Sequence, residues 1–376
     1  MTSKKNSVSI VYLSIGSGHQ VAAEALAEAL QLQAPKLDIH TFDPFSQLID
    51  PGILEKFQSA SITLTPGLYD SVWRRGTPGN FFERIIELDL LQDTMTKKFQ
   101  AYESQVVIAT HVLPCAISLA IKQDAGLVEN VYGVITDFGL HTYWPLSGMD
   151  GYFVGHDSLR NLFHYRRMDV KNVYVTGIPI RPSFAKLSGR VHKRSKRLNV
   201  LFVVGGIRSG GYRELRLDIF NVLDVLNAFS KENLHLTIVT GNQRKLMQQI
   251  KDHTSDLQLD VTVLGFVKTM HELMNQHDIL ISKPGGVTVA EAMAVGLPII
   301  VLRAGPGQER ANTDFLARHG AAVSGESPTN VYEIIQHCLT DPLYLKHLKN
   351  NASILGFSQS AQTIAQIVLQ KVYNKA

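Results

Sequence analysis

Short apolar, β-branched runs recur along the chain, and stretches with helical spacing separate many of them. In the first half the runs are SVSIVYL, LDIHTF, QVVIAT, VYGVITDF, GYFVG and NVYVTG. In the second half they are LNVLFVVGG, LHLTIVTG, DVTVLGF, DILISK, PIIVL and a weaker AAV. Runs apolar at successive positions suit parallel strands covered on both faces. Between them lie amphipathic patterns such as ELRLDIFNVLDVLNAFS. Alternating β and α patterns predict an α/β protein with doubly wound parallel sheets. The pattern begins again near residue 198. It predicts two Rossmann-like domains, residues 1–188 and 198–376, joined by a basic linker at 189–197. Whether the last helix packs back on the first domain stays open.

A length of 376 residues agrees with two domains, and 45% hydrophobic residues are ample for two cores. Cys115 and Cys338 lie far apart, which gives neither a disulfide framework nor metal-ligand spacing and suits a reducing cytosol. The N-terminal residues carry no signal-peptide pattern, and no window suits a transmembrane helix. A cytoplasmic protein is therefore expected, with any membrane contact peripheral. The formal net charge of +4 is concentrated in RVHKRSKR, residues 190–197, where five Lys/Arg stand with no acid. That run reads either as a solvated linker or as a strip facing anionic lipid headgroups, where each such charge is worth about 1 kcal/mol. Nucleic acid is not an expected partner, since no recognition motif accompanies the run.

Strand-end loops are where ligands bind in open α/β sheets, and three such loops carry chemistry. Gly16-Ser17-Gly18-His19 follows the first strand and opens a helix. A dinucleotide fingerprint would want a third glycine where Val21 stands, so the loop is weak evidence for a nicotinamide cofactor. The glycines still permit close approach to a helix N-terminus, and His19 could take a proton from a hydroxyl there; the plainer reading is a capping or packing histidine. Val204 to Gly211, with Gly205, Gly206 and Arg208, suits a diphosphate, or else is a flexible turn. Most specific is DILISKPGGVTVAEAMAVGLPIIVLRAGPGQERAN. Its Pro284-Gly285-Gly286 breaks a strand and leads into a helix whose N-terminus can receive phosphate. Glu291, one turn in, suits two ribose hydroxyls, and Gln308 and Glu309 suit a polyol.

These stretches resemble a known family. SKPGGVTVAEAMAVGLPIIVLRAGPGQERAN, with LGFVKTMHELM before it, resembles the nucleotide-sugar half of GT-B glycosyltransferases, above all monogalactosyldiacylglycerol synthases and processive diacylglycerol glucosyltransferases. The N-acetylglucosaminyltransferase that makes lipid II is a more distant relative. GSGHQVAAEAL and VITDFGLHTYW resemble the family's glycine-rich loop and its T-D-aromatic segment. The resemblance implies a GT-B fold, with an acceptor-binding first domain and a donor-binding second domain facing each other across a cleft. It implies His19 as general base, with Asp137 and His141 near the acceptor or orienting the base. Gly16, Gly18 and Trp73 fall on the acceptor side. Phe266 and Val267 would meet the uracil, Gly286, Val287 and Thr288 the diphosphate, Glu291 the ribose, and Gln308 and Glu309 the sugar. Ser17 interrupts a run that in the family is often three glycines. Pro284 to Thr288 depart from the G-P-G-T of the lipid galactosyltransferases, so sugar and acceptor are left open.

The resulting expectation is an inverting transfer of a hexose from a UDP-sugar to a hydroxyl of a lipid such as diacylglycerol. Helix N-termini and Arg208 would stabilise the departing UDP, and with no D-x-D motif no obligatory metal or other cofactor is expected. Trp73, Phe81 and Phe82 beside Arg74, Arg75 and Arg84, with Arg166 and Arg167, suit either a headgroup layer or ordinary packing. A soluble hydrophobic acceptor is the alternative transferase reading. A UDP-N-acetylglucosamine 2-epimerase and a non-catalytic UDP-sugar-binding protein are the readings from other classes.

Overall fold

The computed structural model describes residues 6–14, 17–46, 89–140, 142–144, 147–165, 172–187, 197–204, 213–302 and 304–373. The chain divides into two compact units, one of residues 1–182 with 359–376 and one of residues 183–358.

The first unit runs β1 (Ser7–Val11), α1 (Gly18–Gln33), β2 (Asp38–Phe42), α2 (Asp89–Ala101), β3 (Val106–Ala109), α3 (Val112–Ala125), β4 (Asn130–Val134), β5 (Gly151–Val154), α4 (Asp157–Tyr165) and β6 (Val173–Val175). Its six strands lie in the order β2-β1-β3-β4-β5-β6, every pair parallel. Successive strand side chains point to opposite faces. Val8, Ile10, Val106 and Ile108 therefore join the core beneath α1. Val11, Val107 and Ala109 join the opposite core. Covering both faces explains the unbroken apolar runs. Within β4, Gly133 makes room for an aromatic neighbour, since a Cβ there would fall 2.3 Å from the Tyr152 ring.

A 3-10 turn at Pro182–Leu187 spans the division, and the second unit continues β7 (Leu198–Val203), α5 (Arg213–Leu226), β8 (Leu234–Val239), α6 (Arg244–Thr254), β9 (Asp260–Leu264), α7 (Met270–Asn275), β10 (Ile279–Ser282), α8 (Gly286–Ala294), β11 (Ile299–Leu302), α9 (Gln308–Arg318), β12 (Ala322–Gly325), α10 (Pro328–Thr340) and α11 (Pro342–Ile354). The sheet order is β12-β11-β10-β7-β8-β9, again all parallel. All twelve apolar runs of the sequence are strands, and both sheets are doubly wound. In each, the chain winds outward from its first strand and then crosses to that strand's other side. The resulting switch points, β1/β3 and β7/β10, are where loops diverge and a ligand crevice opens.

A closing helix, α12 (Ser360–Tyr373), returns to the first unit. Its Ile364, Ala365, Val368 and Val372 are buried in one cluster with Ala23, Leu26, Ala29 and Leu30 of α1. Small residues on the α1 stripe let the two helices approach closely. Ser360 Oγ accepts from the Ile180 N–H at 3.2 Å, and Gln362 donates to the Pro182 carbonyl, so the helix is tied to the strand-exit segment. Of the basic run, Arg197 is described, and just before β7 it pairs with Asp260 at the start of β9, two strands away. Burial raises the Asp260 carboxyl, but hydrogen bonds and charge from His235 and Arg197 outweigh it and hold the group below its ordinary range. None of the described helices is long and apolar enough to cross a membrane.

Candidate active site

Three strand ends of the first sheet converge on His19. The residue sits in the first turn of α1, directly after the β1 loop, and is partly buried. Its Nδ1 lies 2.7 Å from the carbonyl oxygen of Thr110, the residue that follows β3. It also lies 3.1 Å from Oγ1 of Thr136, two residues beyond β4. The Thr110 hydroxyl donates back to the His19 carbonyl at 3.0 Å. A carbonyl has only lone pairs, so an atom 2.7 Å away must bring the hydrogen. Nδ1 is therefore the protonated nitrogen, and Nε2 carries the lone pair. Among the described residues no hydrogen bond engages Nε2, which leaves it able to accept a proton.

Burial pushes the His19 imidazole below its ordinary value, while the charge of Asp137 and the Thr110 carbonyl pull the other way. Burial wins, so the ring is a neutral base near pH 7. Nδ1 is met by Thr110 and Thr136, and Asp137 acts on the ring through its charge. His111 stands edge-to-face against His19, with centroids 4.8 Å apart and planes at 89°. Its own Nδ1 accepts the Leu113 N–H at 3.2 Å, capping α3 and fixing the ring. Upstream of His19, the buried Asp43 at the end of β2 accepts from the Ser14 N–H at 2.9 Å and anchors the β1 loop. Gly18 is the first residue of α1. Gly16, Trp73 and His141 lie outside the described residues, as do Arg166 and Arg167.

In the second sheet the corresponding loops follow β10 and β11. Lys283-Pro284-Gly285 leads into α8, whose N-cap Gly285 offers no side chain to the helix's first N–H groups. Those groups, at Gly286, Val287 and Thr288, suit an anion. Glu291 lies one turn along, partly buried. The loop after β11 turns at Gly307, whose φ of 71° is left-handed and favours glycine, and α9 starts at Gln308. Glu309 is 9% exposed: its Oε2 accepts the Gly305 N–H at 2.8 Å, and its Oε1 lies 3.4 Å from Lys283 Nζ. Glu309 thus ties the two loops together. The fully buried Asn312 adds a second tie, donating to the Pro284 carbonyl at 2.9 Å. Phe266 is 64% exposed just beyond β9, and Val267 beside it is partly buried. Gly205, Gly206 and Arg208 lie outside the described residues.

Sequence reasoning passed over Thr110, His111, Thr136, Lys283 and Asn312. The first three stand at or just past the ends of apolar runs, where one look at every strand end would have found them.

The chain also matches known families over most of its length. Residues 19–180 match monogalactosyldiacylglycerol (MGDG) synthase, and residues 200–368 match the glycosyltransferase family 28 C-terminal domain. By these matches the chain is similar to MGDG synthase over its first part and to family 28 glycosyltransferases over its second. Its first unit holds the MGDG synthase match with His19 as the first matched residue, and the α8 and α9 loops fall in the family 28 match. A similar protein, the processive diacylglycerol beta-glucosyltransferase of Bacillus pumilus, is 27% identical over 76% of this chain and 74% of its own. The enzyme of the same name from Bacillus cytotoxicus is 25% identical over 98% of this chain and 94% of its own. Among solved structures, Acinetobacter baumannii MurG superposes with a TM-score of 0.63 at 16% identity, covering 97% of this chain and 99% of that one. Staphylococcus aureus MnaA, solved with UDP, gives 0.63 at 14% identity, covering 97% and 96%. These likenesses place the chain in the GT-B fold.

Proposed function

We propose that this glycosyltransferase moves a hexose from a UDP-sugar to a hydroxyl of diacylglycerol, in one displacement that inverts the anomeric carbon. The observation that carries the reading is the protonated Nδ1 of His19 with its Nε2 lone pair unengaged by described residues. The names of the Bacillus relatives support the lipid acceptor and the glucosyl group.

The acceptor O–H gives its proton to His19 Nε2 as its oxygen attacks the anomeric carbon. The bond from that carbon to the diphosphate breaks, and UDP leaves with the electron pair. The N–H groups opening α8 stabilise the charge that develops on the diphosphate. Arg208, carried from the sequence reading, adds a positive charge. With the charge met in this way, the transfer needs no divalent ion, and chelation with EDTA leaves the rate unchanged. Glu291 holds the ribose, Phe266 and Val267 the uracil, and Gln308 and Glu309 the sugar. The enzyme works at the inner membrane face, where Trp73, its neighbouring arginines and the 190–197 run meet anionic headgroups.

The test is UDP release from a panel of UDP-sugars, with and without liposomes containing diacylglycerol. Release that requires the liposomes, with a glycolipid seen by mass spectrometry, supports the reading and names the sugar. Donor binding without liposome-dependent release sinks the lipid acceptor, and turnover of UDP-N-acetylglucosamine alone points to an epimerase.

A further inference from the structure

We propose that Thr136 is a positioning residue of the transfer reaction, its hydroxyl sharing the Nδ1 hydrogen of His19 with the Thr110 carbonyl in a three-centre bond. The inference rests on His19 acting as the base. Two acceptors face one nitrogen, at 2.7 Å and 3.1 Å. The Thr136 hydroxyl could donate to Nδ1 only in the other tautomer. That tautomer would set the nitrogen lone pair against the Thr110 carbonyl at 2.7 Å, so Thr136 must accept.

One acceptor fixes which nitrogen carries the hydrogen but leaves the ring free to swing about it. Two acceptors, arriving from the ends of the adjacent strands β3 and β4, fix the direction of the N–H and with it the direction of the Nε2 lone pair. Thr136 is 5% exposed and Thr110 fully buried, so both oxygens sit in packed surroundings just past the strand ends. The titratable groups facing the ring are Asp137, beside Thr136, and His111, at the head of α3. The hydrogen-bond partners of Nδ1 are the two threonines.

Timing gives the arrangement its catalytic weight. When Nε2 takes the acceptor's proton the ring becomes cationic, and a hydrogen bond from a charged donor is roughly twice as strong as one from a neutral donor. Thr136 therefore interacts more strongly in the transition state than in the ground state, and its loss should fall on kcat rather than KM.

The experiment compares Thr136→Val, Thr136→Ala and Thr136→Ser with the wild type in the liposome transfer assay across pH. It is joined by nitrogen NMR of histidine-labelled full-length protein, His19 being assigned through His19→Asn. The wild type should show the Nδ1–H tautomer at His19. Val and Ala should each lower kcat about 3- to 10-fold, the worth of one hydrogen bond, with both KM values unchanged. Their acidic limb should move to lower pH, and Ser should restore both. An Nε2–H tautomer in the wild type overturns the proposal. So do Val and Ala variants with wild-type kcat and acidic limb, or a Ser variant as impaired as Val. The NMR arm uses no substrate, so it stands or falls separately from the identity of donor and acceptor. Using both Val and Ala keeps the test open if one of them does not fold.

Discussion

The carbonyl oxygen of Thr110 lies 2.7 Å from Nδ1 of His19, although 91 residues separate the two in sequence. That distance puts the hydrogen on Nδ1 and the lone pair on Nε2. It also couples His19 to the central strands of its sheet, since Thr110 directly continues β3.

The lowered pKa of His19 sets the acidic side of the pH profile. Neutral imidazole persists to more acidic pH than in an ordinary histidine, so the acidic limb of kcat/KM should have its midpoint below about 6.5. Asp137 raises the value, so Asp137→Asn should move the midpoint lower still. Stability follows the same linkage. As pH falls below about 6.5 the unfolded chain takes up a proton that the buried ring refuses, so His19 lowers stability down to its folded pKa. Rate profiles and urea midpoints from pH 5 to 8 check both statements.

Glu309 joins two loops, and its removal should be felt by the donor. Glu309→Gln keeps one oxygen for the Gly305 N–H but removes the charge opposite Lys283. Hydrogen bonds to charged groups contribute about 1.5–3 kcal/mol, so the Kd for UDP-sugar should rise about tenfold or more. Calorimetric titration with UDP and with UDP-sugar reads this directly.

The strands were legible from sequence because burial on both faces makes each of them an apolar run, as in QVVIAT for β3 and DILISK for β10. His19 was legible because a glycine loop isolates it at a strand end. Thr110 was not, and Thr136 stood out only as the threonine of the T-D-aromatic segment, because nothing local says which oxygen will face a distant histidine. Glu309 was legible as a polar residue in the loop after β11. Its engagement with Lys283 was not, because that pair forms only when β10 and β11 lie side by side. The return of α12, which the sequence left open, depends on matching an apolar stripe to α1.

That return should matter for folding. Ile364, Val368 and Val372 are almost wholly buried against the first unit. Each large apolar side chain contributes about 1.5–3 kcal/mol on burial, so Ile364→Asp, which also buries a charge, should remove a large part of a net stability of about 5–15 kcal/mol. Thermal unfolding followed by circular dichroism should show the loss, with the conservative Ile364→Val close to wild type.

Lys349 offers a control away from both ligand loops. Asp278, just before β10, is fully buried and is held by Lys349 at 2.6 Å and by the Asn199 N–H at 2.9 Å. Lys349→Met would leave that carboxylate short of its counter-charge, at a cost of up to about 3 kcal/mol. The urea midpoint should fall while kcat and both KM values of the folded protein stay at wild-type levels.

The most direct test of the account is a paired measurement on His19→Ala: UDP binding by calorimetry, and sugar transfer to diacylglycerol in liposomes. His19 lies in the first unit and the loop into α8, proposed to hold the diphosphate, in the second, so UDP affinity should be unchanged while transfer falls about 10²- to 10⁴-fold, the usual contribution of a general base. Transfer at the wild-type rate, or loss of UDP binding together with activity, would contradict the assignment of His19 as the base.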